Sequence, residues 1–177
     1  MPLPPDLPID DIRATARRDA DRVLREHWLC RTTPVDPGAI ARSLGARVRT
    51  AVLGDDAWGL LVGKADGVDL FVDAHRSQLR SRFACAHEVG HLVERGALSA
   101  HEALTDLRSA QHRTRAEEAY ANEFAVALLL PTDAFLAART DGDDDFAIAR
   151  RFLVPPAAAR WRAMHLRRED RAARPAA

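Results

Sequence analysis

Two cysteines, Cys30 and Cys85, are all the thiols in the 177-residue chain. Two do not make a disulfide framework, which excludes the small cross-linked secreted class and points to a reducing, intracellular compartment. Lysine is almost missing too: Lys64 is the only one, and the remaining positive charge is arginine. Neither sign of charge is in excess, because 26 basic residues face 26 acidic ones, so no global field steers the chain toward nucleic acid or a membrane surface. No apolar run approaches the length of a membrane span. The opening MPLPPDLPIDD is proline-rich and acidic without an apolar centre, unlike a signal peptide. No internal repeat is visible. The expectation is a cytoplasmic protein with no membrane partner.

What remains is ordinary globular material, 47% hydrophobic and 29% charged, long enough for one domain with a real core and a small appendage. After a loose leader over residues 1–9, the spacing of Ile12, Ala16, Ala20, Val23, Leu24 and Trp28 predicts a helix. Asp36 followed by Pro37 is an N-cap with proline at the first helical position, and Gly45 marks the stop of a short helix burying Ile40 and Leu44. ARVRTAVL reads as a strand, and WGLLVGK-ADG-VDLFVDA as a hairpin turning at 65–67. Its second arm places Val68, Leu70 and Val72 on one face and Asp69 and Asp73 on the other.

A helix over about 77–95 follows, with Leu79, Phe83, Ala86, Gly90 and Val93 as its apolar stripe. Residues 97–113 have no clear period. A second strong helix runs from about 115 to 130 and ends at Pro131. A final helical pair is expected in DFAIARRFL and AAARWRAMHLRRE, on either side of the break at VPP.

The chemistry lies in CAHEVGHLVE. His87 and His91 are four residues apart, so a helix points both imidazoles to one side, where they can hold a single cation. Glu88 is turned about 100° from His87, out of the coordination but within reach of a water beside it. That is the logic of H-E-x-x-H: two ligands and a general base on one rigid element. A catalytic site needs a third protein ligand. Cys85 lies on nearly the opposite face. The metzincin continuation needs glycine at 94 and histidine at 97, where the chain has Glu94 and Ala97. A glutamate from a second helix remains, and EAYAN offers Glu118, with Asn122 on the same face to orient a ligand imidazole. The donor set suits zinc, with manganese as the other candidate.

RSRFACAHEVGHLV followed by EEAYANEFAVALLLP resembles the ImmA/IrrE family of metallo-endopeptidases, a gluzincin-like group. That family pairs an H-E-x-x-H helix with a later E-x-x-A-N-x-F-A-x-x-L-L-x-P helix, and PVDPGAIARSLGARV is similar to its first short helix and strand. The likeness covers roughly residues 12–136. It implies His87, His91 and Glu118 as metal ligands and Glu88 as the catalytic base. It implies an α+β, zincin-like fold of helices packed on a small, mostly antiparallel sheet, with a C-terminal helical appendage. The domain expectation is a metallopeptidase unit over 1–138, then the appendage and tail over 139–177. It also implies a cytoplasmic protease that cuts a helix-turn-helix transcriptional repressor and releases its operon.

The alternative is a non-catalytic, metal-containing regulator that grips a repressor or DNA through the C-terminal helices. Arg150, Arg151, Arg160, Arg162, Arg167 and Arg168 lie there, but no Asn or Gln is placed to read bases, so direct DNA binding is not expected. The substrate is expected as an added strand on one arm of the hairpin, 59–64 or 68–73. Candidates for a second oxyanion donor are His75, His101, His112 and Tyr120, with Tyr120 more a core residue. Cys85 reads as a buried, inert thiol. Trp28, Trp58 and Trp161 read as core or interface anchors.

Overall fold

The structure is a computed structural model of the chain and describes residues 7–30, 32–54, 57–96 and 114–173, with side chains through residue 168. Helix α1 spans Ile9–His27 and buries Ile12, Ala16, Ala20 and Val23, one continuous stripe at spacings of four and three. Helix α2, Pro37–Ser43, starts where the Asp36 carboxylate accepts hydrogen bonds from the amides of Gly38 (2.9 Å) and Ala39 (3.2 Å). It ends ahead of Gly45, whose φ of 87° lies where side chains are disfavoured.

Strands β1 (Ala46–Ala51), β2 (Gly59–Lys64) and β3 (Gly67–Asp73) form one sheet in the order β1-β3-β2. The hairpin forms as expected, but its turn is the pair Ala65 and Asp66, because Gly67 already pairs with Lys64 as the first residue of β3. The sheet is mixed, not mostly antiparallel: β1 runs parallel to β3, with Val48 beside Leu70. Strand alternation defines which side chains face the core but carries no information on which neighbour a strand chooses. β3 therefore has both edges paired, and β2 is an outer strand.

Val68, Leu70 and Val72 enter the core, as their alternation requires. On the other face Asp69 has no exposed surface, being covered by Arg47 (2.6 Å), Lys64 (2.5 Å) and Arg49 (3.4 Å). The single lysine of the chain thus closes a charge cluster on the sheet. Hydrogen bonds from Lys64 and then Arg47 hold the Asp69 carboxyl down at about 2. A carboxylate whose folded value is depressed contributes stability above its ordinary value of 3.8 and loses that contribution as pH falls toward 2. Asp69→Asn is accordingly expected to lower the melting temperature by about 3–5 °C at pH 7 and to flatten its decline between pH 4 and 2. Melting curves of the two proteins that stay parallel through that acid range would remove Asp69 as the titrating group.

Helix α3 (Gln78–Glu94) is enclosed more fully than its apolar stripe implies. Between residues 84 and 94 only His87 and Val93 retain partial exposure. The reason is tertiary: α4 (Arg115–Leu129) covers one side of α3, while α2, β2 and β3 cover the others. Thr114 and Glu117 start α4 with a reciprocal capping box. From Ala121 to Leu130 only Asn122 escapes burial, since α1 and α3 pack against the same helix.

Pro131 ends α4 and also begins a helix that periodicity does not reveal, α5 (Thr132–Thr140), bent 57° from α4. The expected boundary between residues 138 and 139 falls inside α5. Helices α6 (Asp145–Phe152) and α7 (Pro156–Ala173) flank the VPP break, where Leu153 takes a left-handed φ of 53°. Arg82 of α3 donates to the Leu153 carbonyl (3.2 Å) and to the Val35 carbonyl (2.5 Å), tying that turn to the start of α2.

Arg162 of α7 differs from the exposed arginines around it. It is 1% exposed and donates to the Leu130 carbonyl (3.1 Å) and the Thr132 hydroxyl (2.8 Å), satisfying the C-terminal end of α4.

Candidate metal centre

The site is built beside a close approach of α3 and α4. A Cβ on Gly90 would lie 3.0 Å from the Ala121 Cα and 3.3 Å from its carbonyl oxygen, tighter than ordinary van der Waals contact, so a side chain there would press the two helices apart. One turn away on each helix the functional side chains meet. His87 Nε2 and His91 Nε2 are 3.0 Å apart, with Glu118 Oε2 3.5 Å from the first and Glu118 Oε1 3.3 Å from the second. The three residues expected from spacing and resemblance are therefore brought together, and their donor atoms all lie within 4.8 Å of one another.

The donor set fits a small divalent cation. Four ligands at about 2.0–2.1 Å in a tetrahedron stand about 3.3 Å from each other, which is the spacing seen here. Asn122 supports the arrangement: its Oδ1 lies 3.2 Å from His87 Nδ1, so the tautomer that donates to Asn122 turns an Nε2 lone pair into the cluster. The neighbouring rings of His87 and His91 hold the Glu118 carboxyl well below the usual carboxylate range.

Glu88 is 2% exposed and packed between α3 and the start of β2. A Cβ on Gly59 would sit 2.7 Å from Glu88 Cγ and 3.1 Å from its Oε1. The first residue of β2 thus has to be glycine for Glu88 to hold this position. Nothing in the local pattern of WGLLVGK announces that requirement, which arises between residues 29 positions apart.

The other candidates fall elsewhere. Tyr120 is buried and donates to Asp19 Oδ2 (2.7 Å), joining α4 to α1. Burial, and then that hydrogen bond, push its phenol up, and it takes no part in the cluster. His75 is exposed beyond the end of β3. His101 and His112 lie outside the described residues. Cys85 is 5% exposed, and burial pushes its thiol up to about 12, the state of an inert cysteine.

Sequence reasoning missed a polar hub one residue past Asn122. Glu123, 1% exposed, receives Arg17 Nη1 (2.9 Å) from α1, and Trp161 Nε1 (3.0 Å) and His165 Nδ1 (3.1 Å) from α7. Burial pushes its carboxyl up, but the hydrogen bonds from His165, Trp161 and Arg17 outweigh that and hold it at about 2. The available signal was a lone acid in the apolar run following Asn122, where an unpaired charge is not tolerated.

The close helix contact is itself testable. Gly90→Leu forces α4 away from α3 and is expected to cost about 1–3 kcal/mol of stability through overpacking. It should also weaken metal uptake, because Glu118 moves with α4. Unchanged metal affinity in a folded Gly90→Leu protein, measured by competition with a chromogenic chelator, would separate the helix approach from the site.

Helices on a small mixed sheet, with two imidazoles and a carboxylate converging between the central helices, define an α+β protein with a candidate metal centre. The IrrE N-terminal-like domain family, Peptidase_M78, matches residues 41–164, and the chain belongs to that family. Membership implies a peptidase-type activity and a metal cofactor at the level of the family. A Mycobacterium tuberculosis transcriptional regulator is similar in fold, with a TM-score of 0.61 and 21% identity over 86% of this chain. The present chain spans 50% of that regulator's length. No curated protein matches the chain.

Proposed function

We propose that the protein is a zinc-dependent metallo-endopeptidase that cuts a helix-turn-helix repressor in the cytoplasm and thereby releases its operon. The observation that carries this reading is the convergence of His87, His91 and Glu118 with Glu88 buried alongside. His87, His91 and Glu118 would hold the cation. When bound there, zinc supplies Lewis acidity toward a peptide carbonyl and toward water.

The chain's own groups do the rest. Glu88, held against Gly59, accepts a proton from the attacking water and passes it to the departing amide nitrogen. Asn122 orients His87 through its Nδ1. β2 begins at Gly59, beside Glu88, and is an outer strand. An extended substrate adding to β2 would lie across the base, whereas β3, paired on both edges, cannot receive it.

The C-terminal helices support a protein substrate better than DNA. α7 directs Ala158, Ala159, Arg162 and His165 into the protein, which leaves Arg160, Arg167 and Arg168 without base-reading partners. The test is co-expression with a candidate helix-turn-helix repressor from the same genome, followed by electrophoresis and mass spectrometry. Zinc-loaded protein should yield two repressor fragments and chelator-stripped protein none. An uncut repressor that still co-purifies with the metal-loaded chain would favour the non-catalytic regulator.

A further inference from the structure

A cleft of about 630 Å³ borders the cluster at Glu118 and is lined by residues of α3, α4 and α7. Glu118, Asn122 and Trp161 are among the residues that line it. Its walls are largely apolar: Phe83 from α3, Val126 from α4, Trp58 ahead of β2, and Trp161. Another cavity, about 460 Å³, lies between α1 and α5 and shares no residue with the metal cluster.

Two features distinguish the first cleft from a packing defect. Both indoles are partly exposed, Trp58 at 41% and Trp161 at 36%, yet both are held in place. Trp161 donates to the buried Glu123 carboxylate and stacks on His165 at 4.5 Å. Trp58 lies under Arg76 at 5.3 Å and Arg80 at 5.5 Å. Large aromatic surface fixed in advance and left open to solvent is the usual form of a recognition site.

The charge around the cleft is mostly positive. Arg13, Arg80 and Arg115 line it, and the only carboxylate among its lining residues is Glu118. Among the described residues Arg80 and Arg115 form no ion pair, and Arg13 reaches only the exposed Asp10 at 3.4 Å. Guanidinium groups of this kind attract carboxylates and repel basic side chains.

We propose that this cleft is the side-chain recognition subsite for the substrate, taking a large apolar residue of an extended peptide whose neighbours are acidic. The inference rests on the peptidase reading and adds the class of sequence selected. Trp161 and Trp58 are then specificity residues that contact the apolar side chain, Arg80 and Arg115 select the flanking charge, and Glu123 positions Trp161. The appended helix α7 acts in substrate choice.

The experiment uses the full-length, zinc-loaded Glu88→Gln protein and blocked, fluorescently labelled decapeptides. One carries a central leucine flanked by aspartates and glutamates, a second the same leucine flanked by lysines, and a third a central alanine with acidic flanks. Anisotropy should give the first peptide a Kd about tenfold below each of the others. Added to that background, Arg80→Glu with Arg115→Glu should remove or invert the preference for acidic flanks while leaving zinc content unchanged. Both arginines are exposed, so the fold should tolerate the change. Trp161→Phe should weaken the leucine peptide and not the alanine one. No preference among the peptides, or a preference untouched by the double charge reversal, would overturn the proposal. Cleavage by the protein with Glu88 intact is scored separately. Selective binding without any cleavage would sink the peptidase reading and leave a peptide-binding cleft.

Discussion

On the proposed peptidase reading, Glu88→Gln is expected to leave the protein folded and metal-loaded while its kcat/KM on a peptide substrate falls by about 10²–10⁴-fold, the usual contribution of a general base. The argument is steric as well as chemical. Glu88 is 2% exposed and sits against Gly59, where no larger residue fits. Glutamine has the same shape, so the contact with β2 survives. The amide does not accept the proton that the carboxylate would take, and the hydrolytic step loses its base. Circular dichroism, zinc analysis and a cleavage time course on one preparation decide the matter. Cleavage at the unaltered rate would falsify the role of Glu88 as base. Simultaneous loss of zinc would place the residue in the architecture of the site and not in its chemistry.

The second large effect concerns the carboxylate ligand. Glu118→Ala removes one of three converging donors and is expected to abolish stoichiometric zinc uptake at micromolar free metal, and cleavage with it. Asn122→Ala is the graded counterpart. It keeps all three donors but leaves His87 Nδ1 without the Asn122 oxygen 3.2 Å away. Loss of such a partner typically weakens metal binding by about 10–100-fold. The two substitutions lie one turn apart on α4, so a non-specific disturbance of the helix would affect them alike. A clear ranking, Glu118→Ala far below Asn122→Ala and both below the unaltered chain, is what the geometry requires. Equal zinc affinity in all three proteins, by competition with a chelator, would mean that the ion binds elsewhere.

Much of the site was legible because its parts repeat within a few residues. His87 with His91, and Glu118 with Asn122, are pairs four apart on helices, and helical geometry alone places each pair on one face. The cap at Asp36 and the stop at Gly45 were legible for the same local reason. The inward set Val68, Leu70 and Val72 followed from strand alternation. α5 escaped notice because Pro131 was read only as a stop, although proline serves equally well at a helix start. The hub at Glu123 also escaped, since its partners Arg17, Trp161 and His165 come from two distant helices.

The chain by itself determined that His87, His91 and Glu118 can converge, that Glu88 adjoins them, and which helices carry them, because these depend on periodicities of a few residues. Tertiary structure alone decided that β3 would lie between β1 and β2, and that β2 would be left at the sheet's rim with Gly59 against Glu88. It also decided that α7 would line a cleft beside Glu118 with Ala158 and Trp161. The physical reason is range. A helix turn or a strand pleat is set by neighbouring dihedrals, whereas the contact of Gly90 with Ala121 and the hold of Glu123 on Trp161 join positions more than thirty residues apart, through close approach and burial that no local pattern encodes.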